Sequence, residues 1–334
     1  MGGLRIYSER VLGGAGWDGG DGGGQVDRPA RHTDLTRCAM SLYKRRRGER
    51  LVQRRCLARM TGVTRDEVLR AAVARRRPAH AVPGFAAAYA ARVAALEVLL
   101  PELSGAARAA TVIHGWKPYQ VVGHLMASDR LLAAALGVPL PGAGPSSDDP
   151  EAYTDEVLAA AGGHDEVLAE WRAQAAALCA FLAAADPGLA DTKVTAGGLR
   201  LRVRDHLTNR AFETWVHTTD IALAAGITMP DPVAHHVHAM TDRGCRSLPF
   251  AYLVGGGTGT GTVEMRLSGP GGGTWQVRLG DDPGSQRSAI AMDAVEFCFL
   301  FADRRDPRTV AAWVDGPLAR ELLEAAPQLV RLGR

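Results

Sequence analysis

The sequence predicts an α+β protein in which a four-helix bundle of residues 80–228 precedes a small α+β domain of residues 247–331. From Pro83 to Gly226 the chain is rich in alanine and leucine, and its apolar residues recur at helical spacing. After Gly255, apolar and polar residues alternate on both sides of a glycine-rich turn, as in a hairpin with one buried face. The length of 334 residues also exceeds that of one ordinary domain.

Four apolar runs form the predicted bundle. In chain order they cover residues 83–100, 117–136, 149–185 and 199–226. Pro101 closes the first run, and Pro118 lies in the first turn of the second, where proline is tolerated. Gly162 and Gly163 break or bend the third, while the fourth contains no proline at all.

Residues beyond the bundle are expected to connect to, and then form, the second domain. The expected elements are a connecting helix at 229–246, a hairpin at 263–279 and two helices at 288–305 and 316–326. His235, His236 and His238 fall on the connecting helix, but such closely spaced positions cannot all face one way. A solvated polar face is therefore the preferred interpretation of these histidines.

The N-terminal segment differs from the rest of the chain in charge. Residues 1–59 hold thirteen Lys+Arg against six Asp+Glu, and since the whole chain carries +3, the remainder carries −4. We expect residues 1–59 to be a disordered arm or an extension from a mis-called start, and residues 60–79 to be a short helix and linker. A mildly acidic body argues against nucleic acid as the partner.

Several familiar sites are missing from the sequence. It has no GxSxG elbow, no HExxH pair and no EF-hand loop, and its five cysteines include no CxxC pair. If the protein is an enzyme, its nucleophile is expected to arrive with a cosubstrate. The sequence also lacks an uninterrupted apolar run of eighteen residues and an apolar signal segment, so we expect a cytoplasmic protein without a membrane partner. Monomer and homodimer both stay open.

The stretch "ETWVHTTD" carries the most informative spacing in the chain. Glu213 and His217 are four residues apart and share one helix face, which continues to Asp220 and, backwards, to Arg210 and His206. Helix bundles build metal sites from such pairs, and one donor from another helix would leave an open position. A polar stripe in water explains the spacing equally well.

His124, in "VVGHLMASD", is the best-placed third donor. It lies at the edge of an apolar helix face, where a single histidine is more often a satisfied core residue than a ligand. Spacing alone therefore supports the metal site and the simpler interpretation about equally.

Two segments resemble the mycothiol-dependent maleylpyruvate isomerase family. They are "GWKPYQVVGHL" (115–125) and "RAFETWVHTTDIALAAG" (210–226), which match the family's Trp-led helix ending in His-Leu and its Glu-x-x-x-His-x-x-Asp helix. The family belongs to the DinB-like metal-binding four-helix bundles. The stretches "EMRLSGPGGGTWQVRL", "MDAVEFCFLFADRRDP" and "VDGPLARELLEA" are similar to its second domain, which is sterol-carrier-protein-like. The resemblance covers about residues 80–330.

The resemblance implies that His124, Glu213 and His217 bind one divalent metal, usually zinc, with mycothiol as thiol cosubstrate. It also implies that Arg304 holds an anionic substrate, although relatives commonly have glycine where this chain has Asp303. The expected partners are a small electrophilic substrate and a low-molecular-weight thiol. A thiolate would add to a cis double bond, and the resulting single bond would rotate before the thiol leaves.

The role of Asp220 and the activity itself each have an alternative. Asp220 is expected either to orient the His217 ring or to be a solvated surface charge. Besides the isomerase, the sequence leaves open a mycothiol S-transferase that detoxifies electrophiles, and a non-catalytic protein whose C-terminal domain holds an apolar ligand.

Overall fold

The structure is a computed structural model that describes residues 79–140, 144–281 and 287–331. The expectations for residues 1–59 and for nearly all of 60–79 lie outside the described residues. All described residues fall within one compact unit. A helical N-terminal region is followed by a smaller region that contains a sheet, which confirms the predicted α+β class.

Four long helices form the N-terminal region and match the four predicted runs in order. They are α1 (Ala87–Leu99), α3 (Pro118–Ala135), α5 (His164–Ala184) and α6 (Val203–Ala224), with the shorter α2 (Gly105–Ala109) and α4 (Pro150–Ala160) between them. Helix α3 packs against α4, α5 and α6, and α1 packs against α6. Tyr89, Leu125, Trp171 and Leu207 are among the fully buried side chains that fill the space between these helices.

The third run is divided into two helices at its glycine pair. Helix α4 ends at Ala160, and α5 begins at His164. Gly163 has a φ of 145°, a conformation that residues with a Cβ rarely adopt. Asp149 caps α4 by accepting a hydrogen bond from the Glu151 backbone N–H. This cap fixes the start of α4, which approaches the polar side chains of α3.

The fourth run is helical only from Val203 onward, so the prediction of helix for Leu199–Arg202 is wrong. Those residues form strand β2 (Leu199–Arg202), which pairs antiparallel with β1 (Lys193–Ala196). Gly197 and Gly198 join the two strands with φ values of 59° and 69°. Two successive positive φ values define the tight hairpin turn that best fits the twist of paired strands, and glycine adopts them without strain.

The C-terminal region consists of a four-stranded sheet with helices against it. Its elements are α7 (Ala234–Val254), β3 (Gly261–Ser268), β4 (Gly273–Leu279), β5 (Arg287–Asp293), α8 (Ala294–Phe301), β6 (Ala312–Asp315), α9 (Pro317–Ala325) and α10 (Gln328–Arg331). The strand order is β4-β3-β5-β6, with β3 and β5 parallel and the other pairs antiparallel. Helix α7 contacts α6 of the bundle as well as β4 and α8.

Two further expectations need correction in this region. Residues 288–293 were expected to begin a helix, but they form most of β5, because their backbone pairs with β3 more than twenty residues earlier in the chain. The histidines of α7 do not share a solvated face, since His236 is only 8% exposed. Its Nδ1 has no hydrogen-bond partner within the described part of the chain. The connecting helix expected at 229–246 is observed at Ala234–Val254.

Two helical stretches are long and apolar enough to cross a membrane by length and composition alone. They are Gly84–Glu102 and His164–Ala184. Half of the apolar window in the first stretch and 44% of that in the second are buried inside the fold. Core helices of a bundle meet the same criterion, so these stretches are weak evidence for a membrane span.

Candidate metal centre

Helices α3 and α6 bring together the three predicted ligands. One potential ligand atom each from His124, Glu213 and His217 lies within 4.8 Å of the other two. The histidines are 6% and 8% exposed, whereas 30% of the Glu213 side chain remains accessible. The stripe of α6 is therefore not a solvated face, and its carboxylate and imidazole meet a second imidazole from α3.

Each histidine turns its Nδ1 away from the other ligands. The Thr154 hydroxyl donates to the Pro150 carbonyl at 2.7 Å, so its oxygen accepts from His124 Nδ1 at 3.1 Å. His217 Nδ1 donates to Asp220 Oδ2 at 3.2 Å. A neutral ring that carries its proton on Nδ1 leaves Nε2 with a lone pair, as in metal-bound histidines oriented by an outer partner.

The contact between His124 and Glu213 tests whether the site suits a cation. His124 Nε2 and Glu213 Oε1 lie 2.7 Å apart. With Nδ1 protonated, either a second proton on Nε2 or a metal ion between the two atoms makes the contact favourable. Tetrahedral zinc with bonds of about 2.0–2.1 Å separates its ligand atoms by about 3.3 Å. The pair would open by about 0.6 Å to hold zinc, so the donor set fits the group.

The second oxygen of Glu213 has a different partner. Arg210, one turn earlier on α6, donates from Nη1 to Glu213 Oε2. Burial by itself raises the pKa of Glu213, but the Arg210 guanidinium and the His124 ring overcome this and hold that pKa well below its usual range. Glu213 thus stays anionic at any physiological pH. Burial also lowers the pKa of His217, although the hydrogen bond to Asp220 opposes this effect. The lowered pKa keeps the His217 ring neutral and able to bind a metal ion.

Asp220 and Arg304 form a buried pair beside His217. Arg304 donates to Asp220 from Nε at 3.0 Å and from Nη2 at 2.8 Å, and from Nη1 to the Ala302 carbonyl at 2.8 Å. Burial opposes the ionisation of Asp220, but the hydrogen bonds from His217 and Arg304 still lower its pKa. Asp220 is therefore a partner of His217 and not a solvated surface charge. Arg304 reaches the site through Asp220.

The backbone before Arg304 explains why glycine suits the preceding position. Asp303 follows the end of α8 with a φ of 58°. Its N–H donates to the Leu300 carbonyl, and the Arg304 N–H donates to the Phe299 carbonyl at 2.7 Å. This is the closing pattern of a helix whose last residue is left-handed, where glycine has no steric penalty. Aspartate tolerates the conformation better than most residues, so Arg304 is still held in place.

Three neighbours of the site were not identified from the sequence as functional. Thr154 orients His124, and the Trp116 ring lies 5.5 Å from the His124 ring. Glu151 approaches His124 Nδ1 to 3.9 Å and stays about half exposed. Spacing along one helix could not reveal Thr154 or Glu151, because both lie on α4. Trp116 does lead the recognised "GWKPYQVVGHL" stretch, which was the available signal.

Comparisons with known proteins find one family model, two curated relatives and one solved structure that are similar to this chain. Residues 89–222 match the family model of the mycothiol maleylpyruvate isomerase N-terminal domain, a stretch that contains all three predicted ligands. Two curated Mycobacterium tuberculosis proteins, "Uncharacterized protein MT0041" and "Uncharacterized protein Rv0036c", are each 28% identical over 220 residues, which is 64% of this chain and 81% of theirs. The crystal structure of the mycothiol-dependent maleylpyruvate isomerase aligns with 66% of this chain and 88% of its own, at 16% identity and a TM-score of 0.47.

Proposed function

We propose that this protein, whose residues 89–222 match the family model of the mycothiol maleylpyruvate isomerase N-terminal domain, is a metal-dependent enzyme that joins mycothiol to an electrophilic substrate. His124, Glu213 and His217 are the proposed ligands of one divalent cation, for which zinc is the best candidate. A small unsaturated acid of the maleylpyruvate type is the proposed substrate. The reaction is placed in the cytoplasm, where low-molecular-weight thiols stay reduced.

One observation supports the metal site above all others. Both histidines use Nδ1 for an outer partner, while the 2.7 Å contact of His124 Nε2 with Glu213 Oε1 holds an imidazole nitrogen against a carboxylate oxygen from another helix. Buried polar groups need partners, and a cation bound between the imidazole and the carboxylate would supply one for both. Two nitrogens and one oxygen also match the donor set of catalytic zinc sites with an open position.

When bound, the metal would hold a thiol in its deprotonated form at neutral pH, which supplies the nucleophile that the chain lacks. The other steps belong to the protein. Thr154 and Asp220 fix the orientation of the His124 and His217 rings, and the Trp116 ring lies against His124. These contacts hold the ligand atoms in place before substrate arrives, which lowers the entropic cost of reaching a reactive geometry.

The substrate chemistry follows from the thiol. A thiolate that adds to the cis double bond converts it to a single bond, which rotates before the same thiol is eliminated and the trans double bond forms. Arg304 is the proposed cation for a substrate carboxylate, but its guanidinium already binds Asp220 through two nitrogens. A substrate carboxylate would bind either through the two N–H groups of the guanidinium that its bonds to Asp220 and the Ala302 carbonyl leave over or by displacing Asp220.

A mycothiol S-transferase is the second candidate, and the engagement of Arg304 favours it. Because Arg304 is already bound to Asp220 and to the Ala302 carbonyl, its charge is balanced without an anionic substrate. A neutral electrophile would therefore meet no unpaired charge. Zinc-loaded protein should be assayed with mycothiol against maleylpyruvate and against a neutral alkylating agent. Isomerisation without net thiol consumption supports the isomerase, and stoichiometric thiol loss with the alkylating agent supports the transferase. Failure of both reactions would contradict the proposed function.

A further inference from the structure

A buried chain of polar side chains lies beneath the candidate metal site. The Arg210 side chain is only 8% exposed and contacts groups from two helices. Its Nε donates to Asp129 Oδ1 at 2.6 Å, its Nη1 to Glu213 Oε2, and its Nη2 to the Leu125 carbonyl at 3.3 Å. The Tyr89 hydroxyl donates to the other oxygen of Asp129 at 2.8 Å. The chain therefore runs from α1 through α3 to the proposed ligand on α6.

The two oxygens of Glu213 consequently face different neighbours. Oε1 lies 2.7 Å from His124 Nε2, on the side of the histidines, while Oε2 accepts from Arg210. We propose that Arg210 is a positioning residue that restricts Glu213 to one metal-facing oxygen and thereby keeps a coordination position open for the thiol. This inference rests on the metal site of the proposed function and adds a residue that keeps one coordination position of that site open.

The physical argument depends on what a free carboxylate does beside a divalent cation. A carboxylate can bind through one oxygen or through both, and the second oxygen would fill the position that a thiol needs. A charge-assisted hydrogen bond from a guanidinium competes for that second oxygen, and arginine stays charged at every relevant pH. Asp129 balances the charge of Arg210, so the pair adds little net repulsion toward a cation.

The surroundings of Arg210 argue that its position is specified. Its Nε, Nη1 and Nη2 each have an acceptor, and Tyr89 fixes the Asp129 carboxylate in turn. A buried ion pair is weak evidence for stability, because desolvation offsets much of its attraction. A fully hydrogen-bonded pair that also grips a proposed ligand has a more specific use in orienting that ligand.

Cobalt-substituted protein provides the test, since the visible absorption of Co²⁺ reports its coordination number and a thiolate adds a charge-transfer band. Arg210→Gln should change the visible absorption of the cobalt protein, because the second Glu213 oxygen takes the open coordination position. Its affinity for 2-mercaptoethanol, followed by the charge-transfer band, should fall by about 10-fold or more. Arg210→Lys keeps a cation for Oε2 and should recover most of that affinity.

Arg130→Gln is the matched control. Arg130 is equally buried on α3, but it contacts Gln174 at 2.9 Å and Glu170 at 2.6 Å, away from the three ligands. The Arg130→Gln protein should be less stable than the wild type but should have the same cobalt spectrum. If Arg210→Gln does not fold, Tyr89→Phe should shift the spectrum in the same direction by a smaller amount.

The possible results separate this inference from the proposed function. Wild-type protein that binds cobalt, with an Arg210→Gln spectrum and thiol affinity unchanged, overturns the role of Arg210 alone. The same holds if Arg130→Gln changes the spectrum as much as Arg210→Gln, or if Tyr89→Phe, where it is needed, leaves the spectrum unchanged. Wild-type protein that binds no cobalt overturns both the metal site and this inference.

Discussion

The pair formed by Asp220 and Arg304 allows two roles for the arginine to be separated experimentally. Arg304 and Asp220 are only 14% and 11% exposed, and they share hydrogen bonds through two guanidinium nitrogens. Removing one partner of a buried ion pair leaves the other charge unmatched and costs about 3–5 kcal/mol. Because both groups keep slight exposure, we expect Asp220→Asn and Arg304→Gln each to lower the free energy of unfolding by about 3 kcal/mol.

The double variant gives the interaction energy. Once one charge is gone, removal of the other relieves an unmatched buried group, so the double variant should be more stable than the sum of the single effects by about 2 kcal/mol. Urea unfolding of the four proteins, followed by circular dichroism, measures this coupling. Additive losses would show that the contact between the two side chains contributes nothing.

The same four proteins then report on function. If Arg304 acts only by holding Asp220, Arg304→Gln should weaken zinc affinity in the wild-type background and have no further effect in the Asp220→Asn background. If Arg304 also binds the substrate carboxylate, the KM for an anionic substrate should rise further in the double variant. If the Arg304→Gln protein has normal zinc affinity and a raised KM, Arg304 does not act by positioning Asp220. Substrate binding would then be the function of this arginine.

Three other predictions concern groups outside the site. Burial lowers the pKa of His236 from 6.5 to about 4, so only the unfolded chain binds this proton in that window. As the pH drops from 6.5 to about 4, the wild type should therefore lose about 3 kcal/mol of unfolding free energy relative to the His236→Leu variant. A difference between the two proteins that does not depend on pH would contradict this. Asp303→Gly should be more stable than Asp303→Ala by about 1 kcal/mol in thermal unfolding, because only glycine relieves the left-handed backbone; equal stabilities would argue against strain. Burial raises the pKa of Cys179 to about 12, so peptide mapping after alkylation at pH 8 should find it unmodified until urea is added, and rapid labelling of native protein would count against that burial.

The helices of the bundle could be predicted because their signals are local. The alanine- and leucine-rich runs predict α1 and α3 to within four residues, with Pro101 just after α1 and Pro118 at the start of α3. The glycine pair before α5 also marks the break that the structure shows. These signals act within a few residues, so one sequence contains all the information they require.

The strands that were missed depend on distant partners. Strand β5 pairs in parallel with β3, and its residues "SAIAM" satisfy a helical pattern equally well until that partner is known. Strand β2 had a local signal in the Gly197–Gly198 turn. The run that follows this turn favours helix from its first residue, and this pattern hides the signal of the turn.

The site was predictable only in part for the same reason. The spacing of Glu213 and His217 identified one helix face, but whether that face meets water or His124 depends on how α3 and α6 pack. The resemblance to a known family adds weight to the metal site where spacing alone leaves two interpretations open. Asp129 and Tyr89 contribute to the site from 81 and 121 positions before Arg210, a distance at which one sequence carries no pattern.

The zinc content of purified protein tests the central claim most directly. Wild type, His124→Ala, His217→Ala and His206→Ala should be prepared without chelator and analysed by mass spectrometry for zinc per chain. His206 is the control, since it is buried on the same helix but bonds the Val194 carbonyl at 3.1 Å. Wild type and His206→Ala should retain about one zinc ion per chain, and the other two variants should lose most of it. Zinc absent from the wild type, or unchanged in His124→Ala and His217→Ala, would contradict the metal site.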